Sequence, residues 1–122
     1  MKVRALALLL LLPVVFLAAC SGGASPPSGG SGATTVVATD YKFDPPNVTA
    51  RVNQQATITM RNTSTQIHDW TVQGLDQVVV TQAAAGATGT VAFTPTKTGT
   101  FKIVCIQAGH EQLGMVGQLT VQ

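Results

Sequence analysis

The chain has 122 residues, 45% hydrophobic, 10% charged and 5% aromatic, with a formal net charge of +2. That length suits one ordinary domain and excludes a two-domain enzyme of the usual size. The positive balance belongs to Lys2 and Arg4, since from residue 21 onward five basic residues face five acids, so nucleic-acid binding has no electrostatic support.

The first segment reads as an address. Met1–Arg4 is a short basic stretch, Ala5–Phe16 is apolar and Leu-rich, and Leu17-Ala18-Ala19-Cys20 follows. This is the layout of a secretory signal peptide, and the apolar run is shorter than the roughly 20 residues a spanning helix needs. Its ending resembles the bacterial lipobox. That resemblance implies removal of residues 1–19, a lipid on Cys20 and export to the periplasmic or extracellular face of a membrane. Residues 21–32 read SGGASPPSGGSG, a composition expected of a flexible tether, so 20–33 is the lipidated cysteine with its linker. The remaining 34–122 is the domain.

From Thr34 onward the segments are short, β-branched and broken by turn residues. Strands are expected over Thr34–Ala38, Ala56–Arg61 and His68–Gln73, while Tyr41–Phe43 leads into Pro45-Pro46 and Asn47–Val52 alternates only weakly. Others are expected over Gln77–Gln82, Gly89–Thr94, Thr100–Cys105 and Gly117–Val121. Pro45-Pro46 should interrupt any ladder. Ala56, Ile58 and Met60 alternate with Thr57, Thr59 and Arg61, the period of a half-buried strand. Seven or eight strands in about 90 residues predict an all-β, Greek-key β-sandwich. Only Gln82–Ala87 could be helical, and it is too short to stand alone. No edge strand is obviously guarded by lysine.

The chemistry concentrates near the C-terminus. With Cys20 assigned to lipid, Cys105 has no partner in an exported protein. Taken alone it reads best as a small buried hydrophobe. It opens the run Cys105-Ile-Gln-Ala-Gly-His110-Glu-Gln-Leu-Gly-Met115, in which a thiol, an imidazole and a thioether recur at five-residue steps. Gly109 and Gly114 directly precede the His and the Met, which lets the loop fold tightly. The other histidine, His68, opens a middle strand. One soft sulfur, two imidazoles and a thioether are the ligand set of a type 1 copper centre.

Residues 34–122 therefore resemble a cupredoxin, the blue copper family of plastocyanin, azurin and auracyanin. The resemblance is carried by Tyr41-Lys-Phe-Asp-Pro-Pro, by His68, and by Cys105-x4-His110-x4-Met115 followed by Val-Gly-Gln-Leu-Thr-Val. It implies that His68 and His110 bind copper through ring nitrogens, Cys105 as thiolate and Met115 as a weak axial ligand. Plastocyanins and azurins typically carry Asn after the first His, and here Asp69 stands there. An ionised carboxylate beside the metal should favour copper(II). Trp70 should share a face with His68, as a core aromatic or also beside the metal. Ala108 and Leu113 are candidates for an apolar rim around His110.

The resulting expectation is a monomeric one-electron carrier rather than an enzyme. Its partners would be redox proteins, by family analogy a cytochrome or terminal oxidase, met at a membrane that the lipid anchors it to. The competing expectation is a copper storage, delivery or sensing module using the same ligands.

Overall fold

The computed structural model describes residues 32–122. The signal segment, Cys20 and the linker up to Ser31 lie outside the described residues. Among the described residues nine strands form two mixed sheets: β1 (Ala33–Thr39), β2 (Lys42–Asp44), β3 (Asn47–Ala50), β4 (Ala56–Asn62), β5 (His68–Gln73), β6 (Val79–Ala83), β7 (Thr88–Phe93), β8 (Gly99–Val104) and β9 (Val116–Val121). One sheet has the order β2-β1-β4-β7 and the other β3-β9-β8-β5-β6. The β1–β4 and β3–β9 pairs are parallel and the rest antiparallel. The all-β sandwich agrees with the sequence reading.

The strand count exceeds the expected seven or eight because the segments flanking Pro45-Pro46 are separate strands. The prolines end β2 in one sheet, and β3 begins in the other. The residues from Gln82 to Ala87 finish β6 and form a turn closed by the Ala87 amide on the Ala84 carbonyl (3.0 Å). Two of the four edge strands are blunted by brevity: β2 has three residues and β3 four. Edge strand β2 also carries the exposed Lys42, a lysine guard that its sequence position does not advertise.

Alternation puts Val36, Ile58, Met60, Trp70, Val72, Ile103, Leu119 and Val121 between the sheets, all buried. Burying each large apolar side chain stabilises by about 1.5–3 kcal/mol. Gly117 in β9 has a different duty. The Gln118 amide donates to the Pro46 carbonyl at 3.0 Å, and a Cβ on Gly117 would collide with that same carbonyl. We expect Gly117→Ala to cost about 1–3 kcal/mol by forcing β3 away from β9, read as a lower urea midpoint with an unchanged slope.

Candidate metal centre

One end of the sandwich gathers the candidate ligands. His68 is the first residue of β5, Cys105 directly follows β8, and Met115 directly precedes β9. His110 lies in the connection between β8 and β9. That connection closes on itself: the Cys105 amide donates to the Met115 carbonyl (3.1 Å) and the Met115 amide to the His110 carbonyl (3.0 Å). Gly109 and Gly114 adopt φ of 84° and 99°, the left-handed turns that the sequence asks of them.

The donors converge. His68 Nδ1 and His110 Nδ1 are 3.1 Å apart, and Cys105 Sγ lies 3.9 Å from the first and 3.4 Å from the second. The centre of that triangle is about 2.0 Å from all three atoms, matching the roughly 2.0–2.3 Å that imidazole nitrogen and thiolate sulfur keep from zinc, copper's neighbour. His68, Cys105 and Met115 are fully buried and His110 is 7% exposed. A trigonal His2Cys set suits copper. Among the described residues, these three form the only His/Cys/Asp/Glu group able to hold a metal ion.

Burial sets the protonation of two candidate ligands. Burial, and then the neighbouring His110, hold the His68 imidazole below its ordinary value. Its Nε2 is buried with no partner among the described residues, so a second proton there would go unpaired. Burial raises the Cys105 thiol. Both groups are thus neutral near pH 7, and copper must displace the thiol proton. The sign for stability follows. With His68 lowered in the fold from an ordinary value of 6.5, the unfolded chain binds more protons below that pH. The metal-free protein should therefore lose stability progressively as the pH falls below about 6.5, which urea melts at a series of pH values would show.

Asp69 organises the thiolate loop. It is 1% exposed. Its carboxylate accepts the Ile106 amide (3.0 and 3.2 Å), the Gln107 side-chain amide (3.0 Å) and the Thr71 hydroxyl (2.7 Å). Its backbone amide donates to Cys105 Sγ at 3.4 Å, and Oδ2 lies 3.6 Å from the same sulfur. The β5–β8 ladder stops at Thr71–Val104, and the Asp69 side chain takes over the pairing beyond it. Trp70 lies in the core, its ring 6.4 Å from that of Phe93 in β7. Cys20 lies outside the described residues.

Other residues join the site without having been singled out by their own chemistry. The Tyr41 ring stands edge to face on His110, with centroids 5.2 Å apart. Asn62 is buried, and its side-chain amide donates to the carbonyls of Gln66, Ala83 and Ala84, which ties the approach to His68 onto the end of β6. Ala108 and Leu113 are exposed, and so are Ile67 and Ile106, each beside a ligand in sequence. A large apolar residue next to a ligand was the available signal for those two.

Comparison places this geometry in a family. A family model described as a cupredoxin-like domain matches residues 8–121, and the chain belongs to that family. Similar solved structures include dithionite-reduced auracyanin from the photosynthetic bacterium Roseiflexus castenholzii. It has a TM-score of 0.69 at 19% identity, with 77% of this chain and 98% of that one covered. Auracyanin B gives 0.67 at 21%, covering 76% and 90%. Auracyanin A, a "blue" copper protein of Chloroflexus aurantiacus, gives 0.62 at 22%, covering 74% and 99%. Among curated proteins no match was found.

Proposed function

We propose that this protein is a type 1 copper protein that carries one electron at a time between redox proteins at the outer face of a membrane. The observation that carries the reading is the buried triangle of His68 Nδ1, His110 Nδ1 and Cys105 Sγ. Copper bound there would alternate between its +1 and +2 states. The chain's own residues do the rest. Two imidazoles and a thiolate suit both oxidation states, and Met115, buried just before β9, would be the weak fourth donor. The closed 105–115 loop and Asp69 hold the donors in place, so little rearrangement accompanies the change of charge.

The same ligands could serve copper storage, delivery or sensing. Burial favours the carrier, because a delivery site must expose its metal to the ligands of an acceptor. Of the four candidate ligands only His110 is measurably exposed, and the exposed apolar Ile67, Ile106, Ala108 and Leu113, each within two residues of a candidate ligand, would supply an apolar rim. An apolar rim of this kind suits brief contact with another protein, and the near-zero charge beyond residue 21 leaves that contact without strong steering. A lipid on Cys20 and the Gly/Ser/Pro linker would keep the domain at the membrane while allowing it about 20 Å of reach.

The test is repeated oxidation and reduction of the copper-loaded protein with a strong chelator present. A carrier keeps its copper through many cycles and exchanges electrons rapidly with a redox protein such as a cytochrome. Loss of copper to the chelator within the first cycles would favour delivery instead.

A further inference from the structure

Tyr41 lies in the turn between β1 and β2 with φ of 64°. That left-handed conformation is uncommon for a bulky side chain, and glycine would adopt it freely. Strain of this kind persists where the surroundings demand the side chain. Three contacts show what Tyr41 meets. Its ring stands on the His110 ring at 5.2 Å and 82°. Its hydroxyl accepts a hydrogen bond from Gln66 Nε2 at 3.3 Å, two residues before His68. The remainder of the half-buried ring packs against the core.

His110 needs such a neighbour. It sits in a turn-rich connection outside any strand ladder, so its backbone alone does not fix the imidazole plane. It is also the most exposed of the four candidate ligands. A metal leaving the site would go most easily if His110 swung outward. The Tyr41 ring occupies space beside that imidazole.

We propose that Tyr41 is a positioning residue of the metal centre: its ring holds His110 in the ligating orientation and blocks the outward swing that releases the metal. This rests on the copper reading above. The turn accepts an unfavourable backbone conformation to place an aromatic ring where glycine would leave a gap. The hydroxyl contributes little, because its bond to Gln66 is long and exposed.

The test measures transfer of copper(I) from the full chain to excess bathocuproine disulfonate. Tyr41→Phe keeps the ring and should release copper within about twofold of wild type, whereas Tyr41→Gly should release it roughly three- to tenfold faster, the worth of an edge-to-face pair. Tyr41→Gly should also change the copper(II) hyperfine splitting, which a purely structural turn would not do. A second measurement needs no variant: the diamagnetic copper(I) wild type should show nuclear Overhauser contacts between the Tyr41 and His110 ring protons. Wild-type release and splitting in a folded Tyr41→Gly, or no ring-to-ring contact in wild type, would overturn the proposal. A blue wild type with either result removes the role of Tyr41 alone. A wild type that forms no blue site removes the copper reading and this inference together.

Discussion

Replacing Cys105 by serine should abolish the intense visible absorption of the copper(II) protein. Removing an outer-shell partner of a metal ligand already weakens binding by about 10–100-fold, and losing the thiolate should exceed that. The band arises from charge transfer between thiolate sulfur and copper, and a neutral hydroxyl offers no equivalent donor. The substitution is gentle for the fold. The site is fully buried, but a serine hydroxyl can donate to Asp69 Oδ2 and accept from the Asp69 amide, the two groups that now meet Sγ. Visible spectra and copper titration, with a urea melt to confirm folding, check this. A retained intense band would exclude Cys105 as the source.

The second large effect concerns the potential. Asp69→Asn should raise it by on the order of 100 mV, the size expected for one charge near 5 Å from the metal at an effective dielectric near 20. The carboxylate lies 3.6 Å from the sulfur and is sealed from solvent, so its charge is poorly screened and favours copper(II). Asparagine can still accept from Ile106 and Thr71. Gln107 can turn its side chain to accept from the new amide, so the loop need not move. Protein-film voltammetry reads the shift. An unchanged or lower potential in the variant would show that Asp69 acts only as a tether for the loop.

Much of the fold could be read along the chain because its signals are local. Ala56-Thr-Ile-Thr-Met-Arg61 alternates as a half-buried strand must, and the observed burial follows it. The candidate ligands of the 105–115 loop were also readable, since three of them share one short segment with glycines at the turns. What was hidden depends on where distant segments meet. The charge of Asp69 was plain, but its burial and its grip on Ile106 and Gln107 required β5 to lie beside β8. Tyr41 was part of the quoted motif, yet no local pattern places its ring on His110. Asn62 reads like any polar residue at the end of a strand until Ala83 and Ala84 are brought to it. The start of β6 was misplaced by two residues, because Gln77 is drawn away to the Thr94 carbonyl and Val78 is 90% exposed.

We propose that His68, Cys105 and His110 hold one copper ion in a trigonal, thiolate-bound site. The most direct test is to add copper(II) to the purified, reduced protein and record visible and electron paramagnetic resonance spectra. We expect an intense blue thiolate-to-copper band that saturates at one equivalent, with a narrow hyperfine splitting. Weak absorption with a wide splitting, in a folded protein whose Cys105 thiol is free, would contradict it.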